Sequence, residues 1–146
     1  MGNEASVKQV EVWYEAATGF IVVAYPPGIM DKTAAVRLGD LLNPLLVETT
    51  GRGEAVFVLI NQRHATGMSM DARKVLAEAG RTQLPMLKQA YVASFGGSVA
   101  FRVLANLIIR LFGSKRLQVR MESDEETARA WLTTQRRAYF AEPGKT

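Results

Sequence analysis

Apolar residues along this chain follow two rhythms, runs of period two and stripes of period 3.6, separated by short polar or glycine-rich breaks. Val10-Glu11-Val12-Trp13-Tyr14-Glu15-Ala16 alternates as a half-buried strand. A Thr18-Gly19 turn then leads into Phe20-Ile21-Val22-Val23-Ala24-Tyr25, which predicts a hairpin. The second run is apolar almost throughout, as is Ala55-Val56-Phe57-Val58-Leu59-Ile60, so both are expected inside a sheet covered on its two faces. Pro26-Pro27-Gly28 ends the second strand, because proline cannot donate to a ladder. A fourth strand is expected over roughly Gln89 to Phe95 and a fifth at Leu117-Gln118-Val119-Arg120-Met121, whose alternation marks a sheet edge with one wet face.

Helical periodicity fills the intervals. Asp31 is placed to cap a helix from Lys32 to about Val47, with Ala35, Val36, Leu38, Leu42, Leu45 and Leu46 as the buried stripe and Pro44 expected to kink or divide it. Ser69 is a natural N-cap for a helix from Met70 to Ala79, ended by Gly80. Gly96-Gly97-Ser98 opens an apolar helix from Val99 to Phe112, closed by Gly113. A last helix begins at Ser123, where Ser123 and Glu126 form an S-x-x-E capping box, and turns Ala128, Trp131, Leu132 and Tyr139 toward the core. The order β-β-α-β-α-β-α-β-α calls for an α/β fold: a single mixed, mainly parallel five-stranded sheet with right-handed crossovers and helices packed on its faces. One domain is expected over residues 8–140, with residues 1–7 and 141–146 flexible.

Composition narrows the chemistry. The chain has 146 residues, 48% hydrophobic and 22% charged, the profile of an ordinary globular domain. It has no cysteine and one histidine, His64, and lacks H-E-x-x-H and acidic calcium loops, so neither thiolate chemistry nor a metal is expected. No cofactor motif is present. The net charge of +4 favours anionic partners at long range, but acids and bases are interspersed rather than segregated on one face, which argues against nucleic acid. The start lacks a secretory pattern, and its match to the M-G-x-x-x-S myristoylation motif has no second anchor beside it. The longest apolar stretch, Val99 to Phe112, is interrupted by Arg102, Asn106 and Arg110 and is too short to span a bilayer, so a cytoplasmic location is expected.

Three segments resemble the SpoIIAA-like family, small stand-alone proteins related to STAS domains and grouped with the SEC14/CRAL-TRIO lipid-binding fold. They are Phe57-Val58-Leu59-Ile60-Asn61, then Gln89-Ala90-Tyr91-Val92-Ala93-Ser94-Phe95 followed by a helix, and Val119 to Leu132, in which a strand is followed by an acidic capped turn and then Ala-x-x-Trp-Leu. The resemblance implies a regulatory or protein-interaction module without catalysis, or alternatively a carrier of a lipid or other small apolar or anionic ligand. Classical anti-anti-sigma proteins carry a phosphorylatable serine in an Asp-Ser-x-Gly turn at a helix start; here Ser69-Met70-Asp71-Ala72 occupies that place without keeping the pattern. Ser69 is therefore expected first of all as a cap.

Ligands of open α/β sheets bind beyond the carboxyl ends of the parallel strands. Pro26-Pro27-Gly28, Asn61 to Gly67, and Ser94 to Ser98 should meet there, making Asn61, Arg63, His64, Ser69, Ser94, Gly96, Gly97 and Ser98 the candidate site residues. Gly96-Gly97-Ser98 has the character of an anion cradle but lacks a Walker lysine, so a tight turn with Ser98 capping a helix is the simpler expectation. A hydrolase built on His64 beside Arg63 would need a nucleophile and an orienting acid; no G-x-S-x-G elbow is present, and Ser69 and Asp71, close in sequence, are expected to diverge on the helix, so a hydrolase ranks last among the functions considered. Arg102, Asn106 and Arg110 form one polar stripe on an otherwise apolar helix. Together with Leu107, Ile109 and Phe112 they are the candidates for an interface, either a homodimer contact or a lipid-facing gate.

Overall fold

Pairing across the first hairpin starts the sheet. The computed structural model describes residues 9–97 and 117–142. In chain order its elements are β1 (Glu11–Glu15), β2 (Phe20–Ala24), β3 (Gly28–Met30), α1 (Lys32–Gly51), β4 (Val56–Asn61), β5 (Ala65–Met68), α2 (Met70–Gln83) with a 3-10 turn at Leu84–Met86, β6 (Ala90–Phe95), β7 (Leu117–Glu122) and α3 (Glu125–Ala141). The main sheet has five strands in the order β1-β2-β4-β6-β7. Only β1 runs antiparallel to its neighbour; β2, β4, β6 and β7 are mutually parallel. This is the mixed, mainly parallel α/β architecture that the hydrophobic pattern calls for.

The alternation of each strand sorts side chains into two cores. Ile21, Val23, Val56, Val58 and Ala90 meet Ala35, Leu38 and Leu46 of α1 and Ala72 of α2 on one face. Phe20, Val22, Phe57, Leu59, Tyr91, Ala93 and Phe95 meet Ala128, Leu132 and Tyr139 of α3 on the other. Both β2 and β4 are thus covered on both sides, as their unbroken apolar runs require. The second core is rich in rings: Phe57 and Tyr91, register partners on adjacent strands, stack with centroids 5.1 Å apart, and Trp131 meets Tyr91 edge-on at 6.3 Å.

Several local expectations need correction. A second, two-stranded parallel sheet of β3 and β5 follows the carboxyl ends of β2 and β4. Helix α1 is not divided at Pro44 and runs on to Gly51, held by Leu38 and Leu46 on either side. Val36 is exposed rather than part of its buried stripe. Helix α2 continues through Gly80 to Gln83, since a helical glycine costs only about 1 kcal/mol. The cap of α3 is Asp124, whose Oδ1 accepts from the Thr127 amide at 2.8 Å, and not Ser123. Asp31 and Ser69 do cap as expected, accepting from the Ala34 amide at 2.9 Å and the Ala72 amide at 3.1 Å.

One ion pair ties the hairpin to the last helix. The Arg129 guanidinium donates through Nη1 and Nη2 to the two Glu15 oxygens at 2.7 and 3.1 Å, and through Nε to Glu125 at 2.7 Å. The Thr18 hydroxyl donates to Glu15 at 2.6 Å. The Arg129 hydrogen bonds, opposed by burial and reinforced by Thr18, hold the Glu15 carboxyl below its usual range. Because the folded value is the lower one, the stabilisation is present above the ordinary glutamate pKa of 4.5 and is lost as pH falls through the folded value. Arg129→Gln should therefore cost about 1 kcal/mol at neutral pH, and the difference from wild type should shrink on acidification. Urea unfolding at a series of pH values measures it; a difference independent of pH contradicts the assignment.

Candidate functional site

Loops leave the sheet at the carboxyl ends of β2, β4 and β6, and backbone hydrogen bonds bind them into one rim. The central loop, residues 61–65, is the hub. Its Asn61 carbonyl accepts from the Tyr25 amide at 3.0 Å and its His64 carbonyl from the Gly28 amide at 2.9 Å, which fixes the Pro26-Pro27 segment on one side. On the other side the Gln62 amide donates to the Phe95 carbonyl at 2.9 Å. Within the loop the Ala65 amide donates to the Gln62 carbonyl at 3.0 Å, and the Asn61 side chain accepts from the Arg63 amide at 2.9 Å. The buried Asn61 side chain thus serves the backbone turn.

Gly96 and Gly97 explain why glycine is needed here. Both have positive φ, +79° and +80°, which side chains rarely adopt. A Cβ on Gly96 would lie 2.6 Å from the Arg63 Cα, and one on Gly97 would lie 3.3 Å from the Gln62 Cβ. The two glycines let the β6 loop pack directly on the β4 loop.

The side chains around this frame are mostly committed. Arg63 lies over the Phe95 ring at 5.3 Å and approaches Glu125 at 3.7 Å. His64 is exposed, and its ring makes no hydrogen bond among the described residues. Ser94 is buried in β6 beneath the rim. Ser69 lies where β5 ends: its amide donates to the Met30 carbonyl at 2.9 Å and its hydroxyl caps α2. Burial pushes the phenol of Tyr25, at the exit from β2, up to about 12, so it stays neutral. Asn61, Arg63, His64, Gly96 and Gly97 are therefore brought together, with Ser94 below them and Ser69 farther along the same pole. Ser98, Arg102, Leu107, Ile109, Arg110 and Phe112 lie outside the described residues, as does the helix expected from Val99 to Phe112.

Three residues of this pole were not singled out in the sequence. Gln62 is only 3% exposed, and its Oε1 has no hydrogen-bond partner among the described residues. Its place in the candidate loop is visible in the sequence, but its burial beside Gly97 depends on contact between two loops distant in the chain. Ile29 on β3 and Met70 at the start of α2 are large apolar side chains that remain 66% and 61% exposed. No periodic signal marks them, because β3 is only three residues long. Among the described residues no three His, Asp or Glu side chains converge on a metal position, and no helix is long and apolar enough to cross a membrane.

The sheet order and flanking helices match a solved structure of an uncharacterized DUF3478-family protein with a SpoIIAA-like fold from Shewanella loihica PV-4. The TM-score is 0.63 at 17% identity, over 90% of this chain and 99% of that one. This chain has a SpoIIAA-like fold. The anti-sigma factor antagonist SpoIIAA in its unphosphorylated form matches as well, with a TM-score of 0.51 at 13% identity over 84% of this chain and 96% of SpoIIAA. No family model and no curated protein matches the chain. Within the SpoIIAA-like fold, the strand, acidic turn and Trp131-Leu132 helix that carry the sequence resemblance are β7, the Asp124 cap and α3.

Gly96→Ala should lower stability by more than about 1 kcal/mol, since strain and a backbone clash add. Gly53→Ala is the control, with φ +73° and open space around the added methyl. It should cost clearly less in the same denaturant titration, and equal losses would mean that the Gly96–Arg63 contact contributes nothing.

Proposed function

We propose that this SpoIIAA-like domain is a cytoplasmic, non-catalytic regulatory module that docks a protein partner on the rim around Ser69. The supporting observation is the exposure of Ile29 and Met70, residues that flank the hydrogen bond from the Ser69 amide to the Met30 carbonyl. Large apolar side chains held on a rigid frame are the usual anchors of protein contacts, and methionine adapts to an irregular partner surface. Arg63 and His64 on the neighbouring loop supply a polar margin. The likeness in fold to SpoIIAA, an anti-sigma factor antagonist, is in keeping with such a role. An acid–base mechanism would ask more of His64 than a solvated ring without a hydrogen-bonded nucleophile.

Ile29→Ser with Met70→Ser tests the proposal, because both side chains are largely exposed and their loss should leave the thermal midpoint within a few degrees. Quantitative affinity capture should show proteins retained by wild type and by His64→Ala but lost from the double variant. If wild type and the double variant retain the same set, docking at this rim is refuted.

A further inference from the structure

At the opposite pole, where β2 and β4 begin, the last turns of α1 and α3 flank the hairpin and leave a groove of about 550 Å³. That lies within the roughly 300–1,000 Å³ typical of small-molecule sites. Tyr14, Arg52, Arg136, Arg137 and Phe140 line it, with Glu48 and Glu54 on one side. None of these residues belongs to the rim.

The charges of the groove are unequally spent. Arg52 is neutralised, its Nη1 donating to Glu48 at 3.0 Å and its Nε to Glu54 at 3.4 Å. Arg136 and Arg137 have no carboxylate partner among the described residues. Arg136 is nevertheless held in place. Its guanidinium lies 4.9 Å from the centroid of the Phe140 ring, and on another side it crowds Gly19, where a Cβ would fall 2.7 Å from its Nε. Glycine at the hairpin turn makes room for this guanidinium as well as supplying the positive φ. An arginine ordered by a ring and a backbone, with no hydrogen bond spent among the described residues, has lost part of its conformational freedom before any anion arrives.

From this arrangement we infer that the groove binds a small phosphate ester, its dianionic phosphoryl group taken by Arg136 and Arg137 and a flat organic group lying against Tyr14. Both arginines line the groove, and a guanidinium fork matches the charge and oxygen geometry of a phosphoryl group. Tyr14, 48% exposed on the edge strand, offers its ring to the organic part. Arg52 offsets only one of the two carboxylates, so the Glu48 and Glu54 side keeps a net negative charge and disfavours further anionic groups beyond the phosphoryl.

Phenyl phosphate and inorganic phosphate are the probes, titrated into the full chain by heteronuclear NMR. The expected result is a saturable shift of Tyr14, Gly19, Arg136 and Phe140, with phenyl phosphate about tenfold tighter than inorganic phosphate. Tyr14→Ala should abolish that preference. Arg137→Gln, at an exposed position without an ion pair among the described residues, should weaken both probes, and Arg136→Gln with Arg137→Gln should weaken them by at least about tenfold. Should the double variant unfold, the single Arg137→Gln decides. Shifts that do not saturate, shifts centred on other arginines, unchanged affinity in Arg137→Gln, or benzoate binding as tightly as phenyl phosphate would each overturn the inference.

Discussion

Val56 and Val58 on β4 point into one core while Phe57 and Leu59 point into the other, and β2 divides Ile21 and Val23 from Phe20 and Val22 in the same way. Each fully buried side chain of this size contributes about 1.5–3 kcal/mol, so both rows are strongly held. A slip of one residue would exchange aromatic and branched side chains between cores of different shape. Register is thereby fixed, and with it the points at which the loops leave the sheet. The hub loop at residues 61–65 is anchored because the strand before it cannot shift and its backbone bonds both neighbouring loops.

The two poles are built from different materials. At the carboxyl ends of the strands the backbone dominates: amides and carbonyls of adjacent loops satisfy one another, and two glycines allow the approach. At the amino ends the architecture is made of side chains, with guanidinium groups arranged against rings and carboxylates. A backbone rim with exposed apolar residues suits a macromolecular contact, whereas a charged groove suits a small ligand. The core between the poles keeps them apart, so changes at one can be made without direct contact with the other.

Much of this organisation was legible in the chain. All five strands of the main sheet, the Asp31 and Ser69 caps, and the Ala128-Leu132 face of the last helix follow from periodicity and local cap chemistry. What periodicity cannot show is structure that exists only through long-range pairing. β3 and β5 contain Gly28, Thr66 and Gly67 and have little strand character of their own; they pair because β2 and β4 deliver them side by side. Ser123 and Asp124 are both good caps in overlapping frames, and only the observed backbone chooses the aspartate. The Arg129–Glu15 pair and the Arg136 groove join residues from opposite ends of the chain, each of which looks like an ordinary solvated position by itself. Asn61, Arg63, His64, Gly96 and Gly97 share one rim because topology alone predicts where the strands end, whereas the commitment of Asn61 to the turn depends on the local backbone path.

The hairpin that opens the chain also places β1 at one margin of the sheet, with β7 at the other. Unsatisfied strand margins invite further strands to add, the first step toward fibrils. Here β1 carries Glu11 and Glu15, each engaged by an arginine, while β7 carries Arg120 and Glu122 paired with each other. An incoming strand would have to displace or bury these charges. Charge at both margins thus works against edge-to-edge stacking of copies.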